Sequence, residues 1–286
     1  MRNLDGAQLG NEKNICLKRI LHAFHDKQRK VRIFQIVMTP STGFLNSNLE
    51  LLPNTELKLT FERAPASLSC MSIIPKSADI SKDILKIKEP VAIGTYVSSP
   101  ELRSFFSQID TKPIKYSYQD VDVSIKSLPQ DEKILRVDNA RGGNLPEYVF
   151  FGFIKATAQT GDLSQSSTGF YLENVKSVNI VLDGKPVAGY PIRIDYNCPI
   201  LAYKNFLISV DMYNNNTLGS VLSLKDYGEN CIYGHKFEGD EVSAGWLSFQ
   251  VELSEAFSEA YNMVIWYIYD SVITIDKYKR VEKSIL

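Results

Sequence analysis

A cysteine and two histidines near the start of the chain are the first residues that could bind a metal ion. Cys16, His22 and His25 form a Cys-x5-His-x2-His set, but it lacks a fourth ligand and matches no standard zinc spacing. The alternative interpretation is an exposed basic helix. His235 stands alone at the end of a predicted strand, where a histidine is usually an ordinary surface or core residue.

Carboxylates and glycine motifs give no stronger indication of catalysis. Asp120 and Asp122 share one face of a predicted strand and could hold a hard cation, but no third and fourth oxygen ligand follow in pattern. The sequence contains no GxSxG, GxGxxG or GxxxxGK[ST] motif. The pair Gly142-Gly143 is typical of a loop before a strand. We therefore predict no catalytic residue, no metal, no cofactor and no enzymatic activity.

Composition indicates a globular chain made in a reducing compartment. The 286 residues are 44% hydrophobic and carry a net charge of −1, so the whole molecule has no electrostatic attraction to nucleic acid or anionic membrane. The four cysteines are scattered without a CxxC pair, which favours reduced thiols in the cytosol. We expect no signal peptide and no membrane insertion, because no apolar run approaches about 20 residues.

A basic cluster near the start of the chain is the candidate nucleic-acid contact. Only Asp26 opposes it, and its cations could contact nucleic-acid phosphates. The alternative is an ordinary solvated face. The cluster consists of Lys18, Arg19, Lys27, Arg29, Lys30 and Arg32.

The elements that would position such residues are mostly strands. Helical spacing predicts short helices over 12–28 and from Ser98 onward, and a well-patterned helix over 199–213. Asp183-Gly184 predicts a tight hairpin. Eight strands with turn signals favour an antiparallel sandwich or barrel, and eight is the number in a jelly roll. The predicted strands are 114–127, 133–138, 147–158, 175–182, 186–194, 229–238, 246–253 and 262–276.

The last predicted strand is apolar on both faces. With period two, one row contains Tyr267 and Tyr269 and the other contains Trp266 and Ile268. An ordinary half-solvated strand has one apolar row and one polar row. Something must therefore cover the second row, either a local loop or helix or a neighbouring molecule.

Four stretches occur in an order that resembles a known family. They are "NLPEYVFFGFI", "VNIVLDGKPVAGYPI", "AYKNF" and "VIWYIYDSVITIDKYKRV". This order is similar to the C-terminal half of the major capsid proteins of Polinton/Maverick elements and adintovirus-like viruses, in the double jelly-roll lineage. The stretch from Val31 to Ala64 resembles the end of the family's first barrel. The likeness covers roughly residues 31 to 281.

The resemblance implies an all-β fold, with the second barrel of a double jelly roll complete and a short helix inserted in it. Family members carry two complete barrels, whereas this chain begins inside the first. The expected domains are a basic segment at 1–30, a truncated first barrel with linker at 31–110, and a complete jelly roll at 111–286. The chain would be a fragment, an endogenous viral element or a shortened lineage.

The resemblance also implies a structural protein of the virion, made in the host cytoplasm. Its expected partners are copies of itself in a trimeric capsomer, other capsid proteins such as a penton protein, and packaged DNA. If Trp266 and Ile268 face the core, Tyr267 and Tyr269 face a neighbouring barrel and form the candidate subunit interface. The alternative function is a carbohydrate- or ligand-binding module, because jelly rolls also serve as lectins.

Overall fold

The computed structural model describes the second half of the chain almost continuously and the first half only in short pieces. The chain divides into two compact units, residues 1–46 and 47–286. The described residues are 24–26, 31–33, 51, 58, 60, 91, 99–107, 112–160, 169–170, 174–194, 199–213, 223–229, 231–237, 244–257 and 259–285. The predicted remnant of a first jelly roll, 31–110, lies almost entirely outside them.

Twelve strands and four helices are present in these residues. The strands are β1 Phe24–Asp26, β2 Val31–Ile33, β3 Ile114–Leu128, β4 Ile134–Asn144, β5 Tyr148–Lys155, β6 Val175–Leu182, β7 Lys185–Pro186, β8 Ile192–Arg193, β9 Tyr233–Lys236, β10 Ala244–Leu253, β11 Tyr261–Ile275 and β12 Val281–Ile285. The helices are α1 Pro100–Ser107, α2 Ala156–Thr160, α3 Ile200–Ser209 and α4 Leu224–Glu229.

Two antiparallel sheets form a jelly-roll sandwich. In the first sheet the strand order is β3-β11-β5-β9, and β12 also pairs with β11. In the second sheet the order is β4-β10-β6-β7, and β8 also pairs with β6. Long strands that follow one another along the chain mostly lie in different sheets, as in a jelly roll. The predicted fold class, an antiparallel jelly roll with a short inserted helix, is confirmed.

The core lies between the two sheets and is largely aromatic. Phe151 stacks on Tyr233 with ring centroids 5.2 Å apart and meets Phe249 of the second sheet edge-on at 5.1 Å. All three side chains are fully buried. Such contacts add to the stabilisation that burial of the rings supplies. Residues of both sheets therefore interlock across the sandwich.

Local chemistry explains where three elements differ from the prediction. The pair Gly142-Gly143, expected in a loop, belongs to strand β4, where Gly142 leaves room for the ring of Trp246 on β10. The predicted strand 186–194 is divided into β7 and β8, and Gly189 between them has a φ of 80°. The helix predicted over 12–28 is wrong at its end, because Phe24–Asp26 is a strand paired with Val31–Ile33.

Helix α3 packs on the edge of the first sheet at β9. Phe206 on the helix meets Phe150 on β5 edge-on at 6.3 Å. A Cβ atom on Gly234 of β9 would lie 2.5 Å from Ser209 Oγ and 2.6 Å from the Phe150 ring, so the absence of a side chain allows this close approach. The helix predicted over 199–213 is therefore present, and it is fixed to the sandwich by aromatic contacts.

Candidate functional site

The two rows of strand β11 face the opposite way from our expectation. Tyr267 and Tyr269 lie in the core between the sheets, with 0% and 2% of their surface exposed. Trp266 is half-buried on the other face, where it meets Phe170 edge-on at 5.3 Å. A side chain without exposed surface cannot contact a neighbouring molecule. Our assignment of the tyrosines to a subunit interface is therefore wrong.

An arginine of the second sheet contacts both rings of the tyrosine row and hydrogen-bonds one of its two hydroxyls, whereas among the described residues the Tyr267 hydroxyl has no hydrogen-bond partner. The guanidinium of Arg141 on β4 lies 5.5 Å from the Tyr267 ring centre and 5.6 Å from that of Tyr269. Arg141 Nε donates to Tyr269 Oη at 3.0 Å, and its Nη1 donates to Asp122 at 2.6 Å. Burial raises the pKa of both phenols, and Arg141 acts in the opposite direction. This cluster joins β3, β4 and β11 across the sandwich.

The outer face of the first sheet carries an uncovered apolar surface on β3. Val121, Val123 and Ile125 are 51%, 50% and 50% exposed, and we call these three residues the β3 patch. They pair with Ile268, Trp266 and Val264 of β11, and cross-strand partners point to the same face. The half-buried outer row of β11 therefore lies beside the β3 patch and continues its apolar surface.

Sequence reasoning missed the β3 patch because the strand inverts the usual alternation. Asp120 and Asp122 occupy the row that faces the second sheet, and the valines face outward. Inward-pointing charges at a sheet edge are satisfied here by cations, since Lys283 lies 2.7 Å from Asp120 and Arg141 lies 2.6 Å from Asp122. The sequence shows that apolar and charged residues alternate along β3, but it does not show which of the two rows faces the core.

A second apolar surface lies on helix α3. Ile200, Leu201 and Ile208 are 54%, 53% and 42% exposed, and we call them the α3 patch. They fall on one side of the helix together with the exposed Lys204. Beside this side of the helix, a depression of about 260 Å³ is lined by Leu201, Asn205, Gly189, Pro191, Ile192 and Arg193.

The other candidate residues have structural surroundings or lie outside the described parts. His235 packs between Tyr190 and Phe237, and burial lowers its pKa to about 4. Burial raises the pKa of the Cys231 thiol to about 11. Within the described residues, no group of three or more His, Cys, Asp or Glu side chains could hold a metal ion.

The described residues do not show whether the six residues of the basic cluster lie together. Of its six residues only Arg32 is described, on β2, where its Cα is paired with that of His25. Lys18, Arg19, Lys27, Arg29 and Lys30 lie outside the described residues. The nucleic-acid contact therefore stays a prediction. Separately, none of the described helices has the length and apolar character needed to span a bilayer.

Comparison with solved structures finds similarity to virus capsid proteins. A chain of the PBCV-1 capsid is 12% identical with a TM-score of 0.36, over 65% of this chain and 54% of that chain. A chain of the Sputnik virophage is 14% identical with a TM-score of 0.34, over 60% and 39%. The mavirus major capsid protein is 9% identical with a TM-score of 0.35, over 66% and 44%.

This chain therefore matches only about half, or less, of the length of those capsid chains. No protein-family model matches the sequence. No curated protein matches it either.

Proposed function

We propose that this chain is a capsid structural protein that assembles with copies of itself through the outer face of its first sheet. The observation that carries the proposal is the β3 patch, three adjacent apolar side chains that stay about half exposed on a sandwich with a filled core. Contiguous exposed apolar surface is typical of interaction sites. Burying it against another subunit removes it from water.

A second copy of the chain suits this surface because the outer row of β3 is neutral where the patch lies. From Ser117 to Ser127 that row contains no charged residue. This row of β3 can therefore be buried without desolvating a charge of its own. Interfaces likewise carry few charged residues in their buried centres.

Under this proposal the partners are those of a virion protein. The chain is made in the host cytoplasm, forms a trimeric capsomer, and joins other capsid proteins such as a penton protein. The basic cluster from Lys18 to Arg32 then contacts packaged DNA. The sequence resemblance to double jelly-roll capsid proteins supports these further steps.

Light scattering after size exclusion tests the proposal. The purified chain is compared with a variant carrying Val121→Ser, Val123→Ser and Ile125→Ser. Val281→Ser, at a 67% exposed position on β12, serves as the matched control. We expect the parent and the control to form oligomers and the triple variant to lose them while keeping its circular dichroism spectrum. A parent chain that stays monomeric at every concentration would overturn the proposal.

One observation favours the alternative function of ligand binding. Trp246 is 57% exposed on β10, close to the Asp183-Gly184 turn, and exposed aromatic rings stack on sugars. The ring also lies against Gly142, however, and its backbone N–H donates to Asp183 at 2.9 Å, so it has a structural role as well. A glycan array separates the two functions: specific glycan binding that Trp246→Ala abolishes would favour the lectin alternative.

A further inference from the structure

The two exposed apolar patches of the sandwich lie at opposite edges of one sheet. Strand β3 forms one edge of the order β3-β11-β5-β9, and α3 packs against β9 at the other. Each patch exposes three aliphatic side chains to a similar extent. A single subunit cannot bring the two together, because β11 and β5 separate them.

A depression borders the α3 patch at Leu201. The depression of about 260 Å³ beside Leu201 and Asn205 is bounded by the turn at Gly189 and Pro191. The β3 patch, in contrast, is a row of short branched side chains that stand up from a strand. An aliphatic side chain that fills a pocket on the partner is one way to anchor the centre of an interface.

The charges beside the two patches have opposite signs. Lys204 is the only charged residue of α3 and lies within the α3 patch. Asp270 is the only charged residue on the outer row of β11 between Val264 and Val272. It pairs with Gln119, which is the next pair on this face after Ile268 and Val121. The carboxyl of Glu147 is close to Asp270, and burial, together with that neighbour, raises its pKa. A cation placed here would relieve the repulsion between two crowded carboxyl groups.

We infer that the β3 patch of one subunit docks on the α3 patch of the next, with Asp270 facing Lys204, in a head-to-tail contact that closes into a ring. This inference rests on the proposed function and names the partner surface of the same patch. A contact between two different patches is heterologous, so each subunit uses one patch on each side. Repetition of such a contact gives a closed ring if the rotation between subunits closes.

Mixing two defective variants tests this geometry. The first variant lacks the β3 patch through Val121→Ser, Val123→Ser and Ile125→Ser. The second lacks the α3 patch through Ile200→Gln, Leu201→Gln and Ile208→Gln, which keep good helix formers in the helix. We expect each variant alone to be monomeric and an equimolar mixture to give a heterodimer, because the mixture retains one intact β3 patch that can meet one intact α3 patch.

A charge exchange provides a second test with milder changes. We expect Lys204→Glu and Asp270→Lys each to weaken assembly of the otherwise intact chain at least tenfold. We expect the double variant Lys204→Glu/Asp270→Lys to restore it, because the opposite signs are then exchanged across every contact. The same pair with Lys185→Glu in place of Lys204→Glu is the matched control and is expected to show no restoration.

The outcomes separate this inference from the proposed function. If the parent assembles and the variant without the α3 patch assembles equally well, the head-to-tail contact is wrong while the capsid proposal stands. The head-to-tail contact is equally wrong if the charge exchange restores nothing. If the parent itself is monomeric, the proposed function fails and the inference fails with it. A heterodimer in the mixture, together with restoration by the charge exchange, supports both.

Discussion

At the scale of single residues, the orientation of strand β11 decides which side chains stabilise the fold. Tyr267 is fully buried beneath Arg141, whereas Trp266 lies half-buried on the outer face against Phe170. The sequence places these neighbours on opposite faces but does not tell which face is inside, because both rows are apolar. The deciding partner is Arg141, which lies on another strand and 126 positions before Tyr267 along the chain.

Substitution of Tyr267 is therefore expected to cost more stability than substitution of Trp266. Tyr267→Ala removes a buried ring and one of the two aromatic contacts of Arg141, so we expect a loss of about 3–5 kcal/mol in the free energy of unfolding. Trp266→Ala removes a half-buried ring and is expected to cost less. Urea unfolding followed by circular dichroism measures both. A larger loss for Trp266→Ala would mean that the rows are assigned incorrectly.

His235 is expected to make the fold sensitive to acid. Burial between two aromatic rings lowers its pKa to about 4 from an ordinary value of 6.5. Between these pH values the unfolded chain binds a proton that the folded chain does not, so the free energy of unfolding falls as the pH is lowered through this window.

The contribution of His235 is isolated by comparing the parent with His235→Gln. Between pH 7 and pH 4.5 the parent is expected to lose roughly 2–3 kcal/mol more than the variant, since each pKa unit corresponds to about 1.4 kcal/mol. Urea titrations at the two pH values provide the measurement. An equal loss in both proteins would show that other groups cause the acid sensitivity.

At the scale of elements, much of the sandwich could be predicted and the parts that could not have physical reasons. The strand predicted over 114–127 is Ile114–Leu128, and the helix predicted over 199–213 is Ile200–Ser209. Local periodicity specifies such elements. It does not specify contacts between distant strands, so Gly142 was expected in a loop although Trp246 requires it within a strand. The direction of the β3 alternation could not be predicted for the same reason, because Lys283 and Arg141, which lie on other strands, satisfy its inward carboxylates.

The close approach of helix α3 to strand β9 requires Gly234, and this gives a prediction at the same scale. Gly234→Ala places a Cβ atom 2.5 Å from Ser209 Oγ and 2.6 Å from the Phe150 ring. We expect it to destabilise the protein by about 1–3 kcal/mol, as overpacking of a buried site does. Gly228→Ala is the control, because its Cβ atom would meet only Pro199, at 3.8 Å. Equal thermal melts for the two variants would contradict this explanation of how α3 is held.

At the scale of the whole molecule, the sandwich satisfies its core but leaves two apolar patches on opposite edges. The β3 patch and the α3 patch together expose six aliphatic side chains. In the described part of the chain, no group of His, Cys, Asp or Glu side chains is arranged to hold a metal ion. The capsomer that we propose would bury both patches, so the proposed function depends on these surfaces more than on any single residue.

Electron microscopy of the purified, full-length parent chain tests this central claim most directly. We expect closed rings of identical subunits, in which each copy buries the outer face of β3 against helix α3 of its neighbour. Class averages of the variant carrying Val121→Ser, Val123→Ser and Ile125→Ser should contain single subunits only. Isolated single subunits in the parent sample, or rings in which the outer face of β3 is turned to solvent, would contradict the claim.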